Sequence, residues 1–503
     1  MNNIKRSLVR VVTTTLISVS FLLAGCEVRY STQISATYTQ AETFVILPSS
    51  VPTSTNTPEP VILQEPTPTI ETTIEGERAQ YGFTVVLDYN KHILDVEESI
   101  SYLNETGRSL EMLELVVPPN QIDEVFYLKS LLVNNREFTD YVLEGNRLSI
   151  PLESALHDGD TVDISITYQL MPKYNAGVLS YTKNQMNISD WYPFIPPFDQ
   201  EIGWMIHPQA EVGENLVYDK ADFSVFLAVM GEQGLVVAAS TEAVPVDVNM
   251  YKLESINARN LTFSVSNKYQ ELISHNGSTT IRAYVFKGDE SAGEAAIEHT
   301  GKALISFSVL FGMAFPHETM TIVESDFPDG MEYDGLYYLS RTYFDGFDGT
   351  YQGYLPLLAV HETAHQWWLE MVGSDQAMQP WLDEMLATYS EYLYTEQFYP
   401  ELTDWWWDYR YRVEKYNPQG WVDMTIYDET ELRSYINTVY LQGASFLHEL
   451  RKVLGDDAFF NGLRTYVAEY SDKNATWDDF LSVMGVDQST EAGNVVSQYF
   501  RSY

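Results

Sequence analysis

Apolar and polar residues alternate with different periods along this 503-residue chain, and each change of period predicts a different kind of structure. From about Gly76 to Phe286 the period is two, in short runs such as Phe83–Tyr89, Val162–Tyr168, Phe223–Val229 and Thr280–Phe286. A period of two is that of a strand with one buried face. Turn formers separate the runs, as in Asn134-Asn135, Glu144-Gly145-Asn146 and Asp158-Gly159-Asp160. An antiparallel β domain over 76–286 is therefore expected. After Lys287 the period lengthens. Ala296, Ile297, Ala303, Leu304, Phe307 and Leu310 recur at the spacing of one helical face and predict a helix over 290–311. Strands are expected at 320–325 and 336–340, and later helices near 401–415, 438–455 and 457–470. The fold class that follows is α+β and multidomain: a β domain, then a mostly helical one over 287–503. Residues 26–75 are different again. They are rich in Thr, Pro, Ser and Glu with few periodic apolar positions. Such a segment cannot bury enough surface to offset its ordering entropy, so it is expected to be a disordered tether.

Composition changes the picture in two ways. Hydrophobic content of 45% is ample for burial, while a formal charge of −42 repels phosphate backbones and speaks against a nucleic-acid partner. Cys26 is the one cysteine of the chain, and its position is informative. Lys5, Arg6 and Arg10 precede an apolar run, Val11–Leu23, which leads into Leu23-Ala24-Gly25-Cys26. A basic start and a short apolar run mark a secretory signal, and the run is too short for a comfortable membrane span. The Leu-Ala-Gly-Cys ending resembles the bacterial lipoprotein lipobox. That resemblance implies a signal peptide over 1–25, lipid on Cys26, and an extracytoplasmic enzyme anchored to a membrane. No intrachain disulfide and no cysteine zinc site then remain.

The candidate chemistry lies at His361-Glu362-Thr363-Ala364-His365. Two histidines four apart on a helix lie one turn apart on one face, so their imidazoles can converge on one ion. The glutamate beside the first is placed to take a proton from water. The chain holds its own control in His317-Glu318-Thr319, where Thr321 stands in place of a second histidine. A zinc site needs a third protein ligand. Glu384 follows His365 after 18 intervening residues, room to end one helix, turn near Gly373-Ser374-Asp375 and begin another after Pro380.

The stretches His361-Glu-Thr-Ala-His-Gln-Trp-Trp and Trp381-Leu-Asp-Glu-Met-Leu-Ala-Thr-Tyr-Ser-Glu-Tyr resemble the gluzincin aminopeptidases, the family of aminopeptidase N and leukotriene hydrolase. The resemblance covers about 80–503. It implies a thermolysin-like catalytic domain, one zinc held by His361, His365 and Glu384, and Glu362 as general base. Relatives usually continue into a long helical C-terminal domain, which is expected to be absent from this chain ending at Tyr503. Asp329-Gly330-Met331-Glu332-Tyr333 is similar to the family's Gly-x-Met-Glu-Asn motif, with Asp329 and Tyr333 departing from it. The match implies that Glu332 holds the free α-amino group of a peptide; the alternative is an acidic turn residue. Tyr440-Leu-Gln-Gly-Ala444 is similar to a family Tyr-x-x-Gly-Ala motif, which implies that the Tyr440 phenol stabilises an oxyanion. Glu391, two helical turns after Glu384, either accepts a hydrogen bond from a ligand histidine or is a solvated carboxylate. Trp405-Trp406-Trp407 lines the cleft or packs the core.

Together these readings predict a zinc aminopeptidase acting on peptides. Endopeptidase cleavage, an epoxide-type hydrolase on the same zinc, and a catalytically silent binding lipoprotein are the alternatives. The side-chain preference and the oligomeric state are left open at this stage.

Overall fold

The computed structural model describes residues 78–411, 416–428 and 431–501. The signal segment, Cys26 and the tether over 26–75 lie outside the described residues, as do the last four residues of the helix expected over 401–415. The described residues all fall in one compact unit.

The β half is built on an eight-stranded sheet. Its strands run in the order Val244–Asp247, Met250–Ala258, Ala221–Met230, Ala79–Asp88, Ile93–Leu103, Thr161–Leu170, Phe126–Val133 and Arg136–Glu137. The period-two alternation does what it predicts: Val162, Ile164, Ile166, Tyr168 and Leu170 all point into the core. One pairing departs from the antiparallel expectation, because Ala79–Asp88 runs parallel to Ala221–Met230. Alternation is the same for both directions, and a parallel neighbour needs only a long connection, which the chain between these strands supplies. Three smaller sheets, of five, three and two strands, complete this half. Trp191, Tyr192 and Phe194 are buried in the core of this half.

A second five-stranded sheet carries the site. Its order is Gln270–Asn276, Thr279–Val285, Thr319–Ser325, Leu336–Ser340 and Gly330–Tyr333. The run Thr280–Phe286, grouped by sequence with the β domain, belongs here instead. Thr279–Val285 pairs in parallel with Thr319–Ser325, and the helix Glu290–Leu310 makes the crossover between them. This is a βαβ unit, and no local pattern in the strand tells which sheet it joins. Gly330–Tyr333 is an edge strand, antiparallel to Leu336–Ser340.

Of the helices that follow, Tyr354–Ala364 packs on this sheet, and the later ones pack on that helix and on one another. Tyr354–Ala364 is buried from Leu355 to its end, between Glu290–Leu310 and Trp381–Phe398. The helices expected near 401–415 and 457–470 are Thr403–Tyr411 and Asp456–Tyr470. The one expected over 438–455 begins earlier, at Leu432, and passes through a π-helical stretch, Ile436–Gln442, before continuing as Gly443–Leu454.

Candidate active site

The helix Tyr354–Ala364 presents His361 and Glu362 from its last turn, and His365 caps it with helical φ and ψ. The two Nε2 atoms are 3.2 Å apart. The helix Trp381–Phe398 starts after Pro380 and delivers Glu384 in its first turn. Glu384 Oε2 lies 3.4 Å from His361 Nε2 and 3.6 Å from His365 Nε2. Among the described residues, these three form one of two groups whose donor atoms all approach within 4.8 Å of one another; the other is Glu332, Glu362 and His365.

The outer partners orient the imidazoles. His361 Nδ1 is 2.9 Å from Glu391 Oε1, and His365 Nδ1 is 3.0 Å from the Trp368 carbonyl oxygen. With Nδ1 donating, each Nε2 keeps its lone pair for an ion. Glu391 is held in turn by Arg410 and by the Trp406 indole. Of the two readings of Glu391, the structure therefore places it on a ligand histidine, and Trp406 is core packing with a polar handle. Sequence reasoning did not reach Arg410. The signal was there, since Trp406 and Arg410 are four apart and share a helical face.

The electrostatics ask for a cation. Glu384 Oε2 is buried without a hydrogen-bond partner, as are Glu332 Oε1 and Glu362 Oε2. An orphaned carboxylate oxygen facing two imidazole nitrogens is what a zinc site requires, and neutral imidazole with carboxylate suits zinc. The donor set fits one zinc ion. Burial disfavours a charged imidazole, but hydrogen bonds to Glu384 and Glu391 outweigh it and lift His361 to about 9. Burial also pushes the Glu362 carboxyl up to about 8 and raises Glu332. Glu214, from a loop of the β half, and Asp383 are raised well above the usual carboxylate range by burial, and neighbouring acids add to it.

Glu332 comes from the edge strand and is 3.8 Å from His365 Nδ1. Its hairpin is clamped by Gln366, the residue after the second ligand. The Gln366 amide donates to the Tyr333 carbonyl at 3.0 Å and accepts from the Gly335 N–H at 2.9 Å. The two departures from the family motif face elsewhere. Tyr333 donates its hydroxyl to Asp190 in the β half, and Asp329 accepts from Tyr343. Tyr440 lies on the π-helical stretch, its hydroxyl donating to Glu384 Oε1 at 2.5 Å and its ring parallel to that of His361. A cleft of about 230 Å³ opens on His361, Glu362, His365, Glu384, Glu332 and Tyr440. Glu214 reaches it from a segment with no periodic pattern, and so went unnoticed in the sequence.

Two histidines and a glutamate on consecutive helices, with a free carboxylate beside them, define the gluzincin class of metallohydrolases. Residues 295–503 match the Peptidase family M1 domain. Among curated relatives it is 26% identical over 283 residues to aminopeptidase M1-C of Oryza sativa subsp. japonica, covering 53% of this chain and 32% of that one. It is 25% identical over 307 residues to aminopeptidase N of Lactobacillus helveticus, covering 56% and 36%. The chain thus spans about a third of the length of these relatives. A crystal structure of an M1 zinc metallopeptidase from Deinococcus radiodurans shares the fold. It superposes with a TM-score of 0.59 at 17% identity, over 84% of this chain and 94% of that one.

Proposed function

We propose that this chain is a zinc aminopeptidase that releases single residues from the N-termini of peptides. The observation that carries the reading is the convergence, in one cleft, of the His361–His365–Glu384 donor set, the unpartnered Glu362 carboxylate and Glu332 on the edge strand of the sheet. Zinc, when bound, supplies a Lewis acid that acidifies water and polarises a carbonyl. Glu362 takes the proton of the attacking water. Its unpartnered oxygen is free for that task, and the protonated acid then donates to the leaving amine. The Tyr440 phenol, within reach of the site, donates a hydrogen bond to the oxygen that gains charge. Glu332 pairs with the α-ammonium of the substrate, and the open edge of its strand pairs with the peptide backbone.

The test compares free and N-acetylated aminoacyl amides. Acetylation leaves Glu332 buried without a partner, which costs about 3–5 kcal/mol, or a rate penalty of about 10²–10³ or more. Free-amine substrates are expected to be cleaved faster by that factor, and Glu332→Ala to erase most of the difference by weakening the free-amine substrate. Equal kcat/KM for both would point to an endopeptidase.

The same reading includes an anchor. The Leu23-Ala24-Gly25-Cys26 motif supports lipid on Cys26 and an extracytoplasmic enzyme tethered to a bacterial membrane through 26–75. No helix among the described residues is long and apolar enough to cross a membrane. Mass spectrometry of the mature protein, finding an acylated Cys26 at its N-terminus, would support the anchor; an intact Met1–Gly25 segment would remove it.

A further inference from the structure

A second cavity, of about 210 Å³, adjoins the cleft, and Glu214 and Glu332 line both. A single water takes about 10–15 Å³ by the same measure, so there is room for a long side chain. Its wall is acidic, and although the charges of Lys220 and Arg259 act on Glu370, several of its carboxylate oxygens lack a hydrogen-bond partner. Glu370 is 2% exposed, and its Oε1 accepts from the Asn260 amide while its Oε2 has no partner. Glu332 Oε1 is likewise unpartnered, and Glu214 accepts one bond, from Gln376. Asp190 is saturated by the hydroxyls of Tyr218 and Tyr333. One cation, Arg259, borders the cavity, and its guanidinium is spent elsewhere. It donates to the carbonyls of Glu370, Tyr218 and Lys473 and to the Asn474 side chain.

From this geometry we infer that the cavity is the subsite for the first side chain of the substrate, and that it selects a basic one, with Glu370 receiving the terminal ammonium or guanidinium. The inference rests on the aminopeptidase reading, because the α-amine at Glu332 is what directs the side chain past it. A metal ion is not the fitting occupant. Neither donor group within 4.8 Å among the described residues includes Glu214 or Glu370, so these acids are too dispersed for one ion and suit an extended organic cation. A neutral apolar side chain would leave the Glu370 oxygen and the Ser374 hydroxyl without partners. Leu369, beside Glu370, adopts φ 124, a conformation that L-residues hold only when their surroundings impose it. Burial keeps the Glu370 carboxyl up to about 8 while the cavity is empty, and an entering cation would ionise it.

The experiment uses the zinc-loaded mature chain and reporter amides of lysine, norleucine, arginine, citrulline and alanine. Lysine over norleucine, and arginine over citrulline, isolate the charge at nearly constant shape. We expect the basic member of at least one pair to have the higher kcat/KM by about tenfold or more. Glu370→Gln, which keeps the amide-accepting oxygen, should bring that ratio to within about threefold. Alanine cleaved with no preference for the basic member of either pair overturns the subsite and leaves the aminopeptidase standing. If no free-amine substrate is cleaved, the aminopeptidase reading fails, and calorimetric binding of lysinamide against norleucinamide decides the subsite. Tighter lysinamide binding that Glu370→Gln abolishes supports it, and equal binding overturns it.

Discussion

Glu362 has one carboxylate oxygen without a hydrogen-bond partner and the other packed against Gly330. A Cβ built on Gly330 would stand 1.9 Å from Glu362 Oε1. The edge strand therefore approaches the proposed general base so closely that only glycine leaves that oxygen in place. Two expectations separate chemistry from folding here. Glu362→Gln keeps all three zinc ligands and should retain stoichiometric zinc by elemental analysis, while kcat drops by about 10³-fold. Gly330→Ala should leave the melting temperature nearly unchanged, because the displaced group is the flexible end of a side chain. It should still lower kcat by about tenfold or more by moving that end. Glu384→Ala is the contrasting case. It removes a ligand, so zinc content and activity should vanish together, and a variant that kept its zinc would mean that another donor completes the set.

Among the elements, those with strong local periodicity were legible in the sequence, and those defined by distant partners were not. The buried helix carrying His361 and the helix starting after Pro380 are announced by spacing and by a helix-start proline, and they bring the donor set together as expected. The parallel pairing of Ala79–Asp88 and the membership of Thr279–Val285 in the catalytic sheet depend on connections, which alternation does not encode. The widened turn Ile436–Gln442 is of the same kind. Its sequence reads as ordinary helix, yet the π geometry is what turns Tyr440 onto Glu384. Such turns cost stability and recur at functional sites. Tyr440→Phe should therefore leave zinc content and KM nearly unchanged and lower kcat by about 100-fold. A variant as active as the parent would take Tyr440 out of the mechanism and leave the π-turn without a catalytic purpose.

At the scale of the whole molecule, the β half and the helical half meet through a buried charge cluster centred on Asp334, two residues beyond Glu332. Its carboxylate accepts from Lys220 Nζ at 3.1 Å and from the Arg259 backbone N–H at 2.8 Å, both in the β half. His317, the first residue of the imperfect copy of the zinc motif, bonds its other oxygen. It thus holds, from within the same half, the carboxylate that the β half meets, a role its sequence alone did not disclose. Burial would raise the Asp334 pKa, but Lys220, His317 and the Arg259 N–H outweigh it and hold the carboxyl well below the usual range. A carboxylate depressed in the folded state contributes stability that is complete above its unfolded pKa of about 3.9 and is lost as pH falls toward the folded value. Asp334→Asn strands Lys220 in the interior and should cost about 3–5 kcal/mol at neutral pH. Urea unfolding at pH 7 and at pH 3 checks both parts. The parent should lose stability between the two conditions and the variant should lose less of it. Because the same hairpin carries Glu332, the variant should also weaken selection for a free N-terminus, measured as the ratio of free to acetylated substrate. A destabilised variant with that ratio intact would show that the joint supports the fold without setting the register of the substrate.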